Sequence, residues 1–233
     1  MKSFRYLVLS AGLLSLLSCG PKDGQYEFHL LTTNDVHGRY FDSLYVEPEV
    51  RPSLIAVSAH VDSLRNIHGA ENVILVDAGD CLQGDNAAYY YNFVDTVSRH
   101  LYARMVDYLE YDAVVVGNHD LEAGHSVYDG IKSDYKGAML AANAIDLESG
   151  DCYFDEYVIL DKGGLKIAVI GFTNPNVKSW ISPDKYKGMD FLSISSVAQS
   201  LVNRVRESEK PDFVILALHS GLGSQEHDSF ENC

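Results

Sequence analysis

Short apolar runs recur along the chain, separated by polar breaks. "FHLLTT" (28–33), "NVILVD" (72–77), "DAVVVG" (112–117), "AMLAAN" (138–143), "KIAVIGF" (166–172) and "DFVILAL" (212–218) are β-branched or almost wholly apolar. Runs of this length without strict alternation predict strands covered on both faces. Between several of them the period lengthens to that of a helix. In "ISSVAQSLVNRVRESEK", Ile194, Val197, Ala198, Leu201, Val202 and Val205 share one face. Leu54, Val57, Ser58, Val61 and Leu64 do the same in "SLIAVSAHVDSLRNIHG", which stops at Gly69. "YVILDKGGLKIAVIGF" predicts a hairpin turned at Gly163 and Gly164. The pattern defines an α/β layered domain with some antiparallel pairing, undivided by any repeat or linker.

Composition narrows the partners. A chain of 233 residues that is 46% hydrophobic supports one sizeable domain and is too short for two full ones. Eighteen basic against thirty-three acidic residues give 18 − 33 = −15, a balance that repels polyanions and anionic surfaces. Duplex nucleic acid is therefore not an expected partner, whereas a small anion held through a local cation is compatible. Residues 1–18 combine Lys2 and Arg5 with an apolar stretch and small residues, which predicts an export signal. "LLSC" resembles a bacterial lipoprotein cleavage site, with Cys19 as the lipidated first residue of a tether over 19–27. The apolar run falls short of the ~20 residues that span a bilayer, so the membrane is expected to be reached only through lipid on Cys19. The expected location is the bacterial cell envelope, as an exported lipoprotein facing the periplasm or the surface. Cys81, Cys152 and Cys233 remain, with no CxxC spacing, so neither a zinc knuckle nor a redox pair is indicated.

Chemistry-bearing residues gather where the predicted strands end. "LLTTNDVHG" carries Asp35 and His37, "ILVDAGDCLQGDN" carries Asp80, "VVVGNHD" carries Asn118 and His119, and "ILALHSG" carries His219. In open α/β sheets ligands bind beyond the carboxyl ends of strands, and neighbouring strands ~4.8 Å apart bring such residues into one small volume. Oxygen and imidazole donors without a thiolate suit two divalent ions such as manganese, zinc, iron or magnesium. Asp80 can share its two oxygens between cations ~3.5–4 Å apart, an arrangement that activates water and clamps a phosphoryl group. Taken singly these residues have blander readings: "GNHD" as a capping turn, His219 as a satisfied strand-end histidine. Asp77 reads as a strand-end capping residue, and Gln83, Asp85 and His125 as loop polar groups. "AAYYYNF" (87–93) is either core packing or a face on which a nucleobase stacks. His29, His60, His68, His100 and His227 read as solvated or incidental.

"NDVHG", "GDCLQG", "GNHD" and "HSG" together resemble the calcineurin-like metallophosphoesterases, within them the branch of 5′-nucleotidases, UDP-sugar hydrolases and 2′,3′-cyclic-nucleotide 2′-phosphodiesterases. The resemblance covers about residues 28–221. It implies a layered β-sandwich flanked by helices, with Asp35, His37 and Asp80 at a first metal and Asp80, Asn118 and His219 at a second. It implies His119 as the group that stabilises developing charge or protonates the leaving oxygen. Glu122 stands where that branch orients this histidine, and Asp120 is left to serve the turn. A small-molecule nucleotide is the implied substrate and water activated between the ions the attacking group. A UDP-sugar or other phosphoester is the alternative substrate, and a non-catalytic envelope metal-binding lipoprotein the alternative class. The family pattern continues past "HSG" into a GHxH-type motif and a nucleoside-binding domain. The chain ends at Cys233, so residues 28–233 are expected to be a truncated domain with an open sheet edge.

Overall fold

The computed structural model describes residues 24–43 and 51–221. The predicted signal, Cys19, most of the tether, His227 and Cys233 lie outside the described residues. The chain runs β1 (His29–Thr33), α1 (Leu54–His68), β2 (Val73–Asp77), α2 (Asn86–Phe93), α3 (Leu101–Tyr108), β3 (Ala113–Val115), α4 (Asn118–Glu122), α5 (His125–Asp134) and β4 (Ala138–Leu140). It continues through β5 (Ala144–Asp146), β6 (Tyr157–Lys162), β7 (Leu165–Thr173), α6 (Val177–Trp180), β8 (Met189–Phe191), α7 (Ile194–Ser208) and β9 (Phe213–His219).

The first four strands form a parallel sheet in sequence order, β1-β2-β3-β4, each crossover made by helices. A second sheet, β6-β7-β9, joins an antiparallel hairpin to a parallel edge strand. The hairpin turns at Gly163 and Gly164, whose φ of 57° and 76° are the paired left-handed values of a tight two-residue turn. A two-stranded antiparallel pair, β5-β8, stands apart from both sheets.

Side-chain alternation sorts the strands into layers. From β2 and β3, Ile74, Val76, Ala113 and Val115 face Leu165, Ile167 and Val169 of β7, forming the core between the sheets. Leu75, Val114 and Val116 face the other way, toward Val61 of α1, Val106 of α3 and Ile131 of α5. On the far side of the second sheet, Ala168, Ile170 and Phe172 meet Ile194, Leu201, Val202 and Val205 of α7. The result is a helix, sheet, sheet, helix sandwich, as the doubly covered strands predict. Burying a Leu, Ile, Val or Phe is worth ~1.5–3 kcal/mol, so these three apolar layers hold the sheets in fixed relation.

One predicted strand is cut short. "AMLAAN" stays in the sheet only through Leu140, because Asn143 pulls the chain out. Its buried amide donates to the carbonyls of Thr173 and Leu192, both at 2.9 Å, and accepts from Thr173 N–H at 3.0 Å. Among the described residues no helix is long and apolar enough to cross a membrane.

Candidate metal centre

The carboxyl ends of β1, β2, β3 and β9 open on one side of the sandwich. His219 belongs to the second sheet, so it reaches the others across the sandwich rather than from a neighbouring strand of the parallel sheet. Its Nδ1 meets the Ala78 carbonyl at 2.8 Å, which holds a proton on Nδ1 and turns Nε2 toward Asn118 and Asp80. That Nε2 lies 3.0 Å from Asn118 Oδ1 and 3.2 Å from Asp80 Oδ2. On the other flank Asp35, His37 and Asp80 each offer a ligand atom, all within 4.8 Å of one another. His37 Nδ1 is buried with no hydrogen-bond partner. Asp80 therefore stands between Asp35 and His37 on one side and Asn118 and His219 on the other.

The backbone beneath these residues is held in an uncommon conformation. Asp35, His37 and Asp80 have φ of 51°, 49° and 63°, the left-handed region that Asp, Asn and His tolerate better than most residues. Such strain costs on the order of 1–3 kcal/mol per residue and persists only where the surroundings enforce it. Here the two loops lock each other: Asp35 N–H donates to the Gly79 carbonyl at 3.0 Å and His37 N–H to the Asp80 carbonyl at 2.9 Å. Gly117 is required by proximity, because a Cβ there would stand 2.1 Å from Asp80 Oδ1.

Asp120 fastens the third loop. Its buried carboxylate accepts the N–H groups of Asp80, Cys81, Leu82 and Gly117 at 2.8–2.9 Å, tying the end of β2 to the end of β3. Its service to the Gly117 turn was legible in the sequence; its grip on residues 80–82, some 40 positions away, was not. Asp77, also buried, accepts from Thr33 Oγ1 and Gly79 N–H, and burial pushes its carboxyl up to about 7.

At the rim, His119 Nδ1 meets Glu122 Oε2 at 2.8 Å and its backbone N–H donates to Asp80 Oδ1 at 2.8 Å. His119 and Glu122 line a cavity of about 230 Å³ together with Gln83, Tyr89 and Phe93. The half-exposed rings of Tyr89 and Phe93 pack edge to face, centroids 5.3 Å apart. Part of the "AAYYYNF" stretch is therefore an aromatic wall beside His119 rather than core. Asp85 pairs with Arg51, and His125 is engaged by Asp129 and Tyr153, so neither joins the cluster. His100, read as incidental, is buried and caps α3 by accepting from Tyr102 N–H at 3.1 Å, and burial lowers its imidazole to about 4.

Electrostatics bind the donors before any cation arrives. Burial disfavours a charged His219, but its bond to Asp80 and that carboxylate's charge outweigh burial and raise it to about 9. Asp80 is lowered in return: burial opposes its charge, and the bond and charge of His219 overcome that. Because the folded value of His219 lies above its ordinary 6.5, the pair stabilises the metal-free chain fully below about pH 6.5 and fades as pH rises through about 9. A cation taken up by Nε2 would have to displace that proton. Metal binding at pH 7.5 is expected to release a proton and to tighten as pH rises toward about 9, read by calorimetric titration in two buffers of different ionisation enthalpy. Binding without proton release would contradict the pairing.

Carboxylate, amide and imidazole groups converge at these sheet ends, and Asp35, His37 and Asp80 among them are a candidate set of ligands for a divalent cation. The comparisons agree: the chain belongs to the calcineurin-like phosphoesterase family, whose profile matches residues 28–232. Members of that family work with divalent metals. The 5′-nucleotidase of Vibrio cholerae serotype O1 is 30% identical over 224 residues, covering 92% of this chain and 39% of that protein. Protein UshA of Escherichia coli K12 is 28% identical over 211 residues, covering 89% and 36%. A 2′,3′-cyclic-nucleotide 2′-phosphodiesterase/3′-nucleotidase of Yersinia enterocolitica is 27% identical over 236 residues, covering 94% and 35%. The chain thus spans well under half the length of these curated relatives. Among solved structures, the calcineurin-like phosphoesterase YfkN of Bacillus subtilis superposes with a TM-score of 0.76 at 24% identity, covering 88% of this chain and 65% of that one. A putative 5′-nucleotidase of Staphylococcus aureus gives 0.74 at 19%, covering 84% and 38%. These likenesses show the fold.

Proposed function

We propose that this chain is the metal-binding part of a phosphoester hydrolase of the cell envelope that acts on nucleotides. The observation that carries the reading is the position of Asp80 between Asp35 and His37 on one side and Asn118 and His219 on the other, with His119 and Glu122 at the rim. The similarity to proteins named as nucleotidases favours nucleotides over other phosphoesters. Residues 1–19 support export and lipidation at Cys19.

Divalent ions, when bound, supply Lewis acidity toward phosphoryl oxygens and lower the pKa of attacking water. Asp35, His37 and Asp80 would hold one such ion, and Asp80, Asn118 and His219 a second. His219 is oriented for this by the Ala78 carbonyl, which leaves Nε2 to the cation. His119 keeps Nδ1–H on Glu122, so Nε2 is the atom that delivers a proton to the leaving oxygen as the P–O bond breaks. Tyr89 and Phe93 take the base of the leaving nucleoside against their exposed faces.

Turnover of nucleoside monophosphates, 2′,3′-cyclic nucleotides and p-nitrophenyl phosphate with added manganese tests the reading. Base stacking worth ~1–3 kcal/mol means that the Tyr89→Ala/Phe93→Ala pair raises KM for nucleotides about tenfold or more. p-Nitrophenyl phosphate, which has no nucleobase, is expected to change much less. Equal effects on both substrates would remove the aromatic wall from the substrate site.

A further inference from the structure

The other end of the parallel sheet carries a second set of donors. Phe28, just before β1, points into the inter-sheet core, edge to face with Phe213 at 5.5 Å between centroids. Strand alternation then turns Glu27 and His29 to the opposite side. Helix α1 returns antiparallel to the strands, and its last residue is His68. The Asn72 side chain donates to the His68 carbonyl at 2.7 Å and steadies that end. The outcome is a meeting of three donors from two segments: Glu27, His29 and His68 each offer a ligand atom, all within 4.8 Å of one another.

The local geometry is poorly explained by protein contacts alone. The imidazoles of His29 and His68 lie with centroids 3.7 Å apart, tilted by 38°. His29 Nε2 is screened from water and has no hydrogen-bond partner, with Glu27 Oε1 at 3.5 Å. At 3.5 Å the Glu27 carboxylate stands beyond good hydrogen-bond range of His29 Nε2, which leaves that nitrogen without a partner beside the second imidazole. A divalent cation satisfies both nitrogens and the carboxylate together. Two imidazoles with one carboxylate select a borderline ion over magnesium or calcium, and three protein donors leave one tetrahedral position open to water.

We propose that Glu27, His29 and His68 form a zinc-class cation site, separate from the catalytic cluster and at the opposite end of β1. Its ion ties the segment ahead of β1 to the last turn of α1, fastening the chain where it enters the domain. Ion binding to the folded state alone stabilises that junction in proportion to the logarithm of free zinc.

The test counts zinc per chain by elemental analysis after equilibration at micromolar free Zn²⁺, in wild type and in His29→Ala, His68→Ala and Glu27→Gln. The expected result is one zinc fewer in each histidine variant. Glu27 is largely solvent-exposed, so Glu27→Gln tests the site without disturbing the core, and about a tenfold weaker affinity is expected. Manganese-dependent hydrolysis is expected to be unchanged in all three. An undiminished zinc count in either histidine variant, or unchanged zinc affinity in Glu27→Gln, overturns the proposal.

Discussion

Alanine in place of His119 is expected to lower kcat for phosphoester hydrolysis by about 10²–10⁴-fold, with manganese content unchanged. Only the side chain is lost. The backbone N–H that His119 donates to Asp80 Oδ1 survives, so the shared carboxylate keeps its position. Glu122→Gln is expected to act more mildly, because its amide can still accept from His119 Nδ1–H while no longer stabilising an imidazolium. The loss in His119→Ala is expected to shrink for substrates with good leaving groups, such as p-nitrophenyl phosphate, which need no proton. A uniform loss across leaving groups, or loss of manganese, would assign His119 to binding instead. Steady-state kinetics with elemental analysis on the same preparations decides between them.

The other large effect concerns Asp120, whose carboxylate holds the backbone N–H of Asp80 without itself being one of the candidate ligands. Its four N–H partners are at or near the ends of β2 and β3, and Asp120→Ala strands buried donors that no water can reach. Leaving one buried donor unsatisfied costs ~1–3 kcal/mol. With several stranded at once and some relaxation, a destabilisation of about 3–5 kcal/mol is expected, measured by urea unfolding of the metal-free chain. Asp120→Asn keeps the shape but turns an amide toward N–H groups, so it recovers only part of the loss. Both substitutions release Asp80 from its left-handed conformation and are expected to weaken metal binding. A destabilisation below ~1 kcal/mol would show that the loops are held by their own hydrogen bonds alone.

The layers were legible because hydrophobic periodicity reports burial directly: β2 and β7 are apolar on both faces, and each is covered on both. The hairpin was legible because two consecutive glycines have few other uses between strands. The end of β4 was not, since nothing local to Asn143 announces that Thr173 and Leu192 complete its hydrogen bonds. Likewise the candidate residues Asp35, His37, Asp80, Asn118 and His219 could be named from strand ends, but not the sheet that brings His219 to Asp80 and Asn118. The clasp made by Asp120 and the meeting of His29 with His68 depend on residues about 40 positions apart, and spacing along a chain carries no signal for such contacts. The aromatic run at 87–93 kept two readings in the sequence, and the exposure of Tyr89 and Phe93 beside His119 sets core packing aside for these two rings.

Asp80, on the proposed function, is shared by two cations. Electron paramagnetic resonance of the chain loaded with Mn²⁺ tests it most directly, because two manganese ions bridged by one carboxylate are exchange-coupled. The expected result is a coupled-pair spectrum in wild type that disappears in Asp80→Ala, while His219→Ala leaves a single-ion spectrum at the Asp35 and His37 side. A spectrum of isolated ions in wild type, or a coupled pair that survives Asp80→Ala, would contradict it.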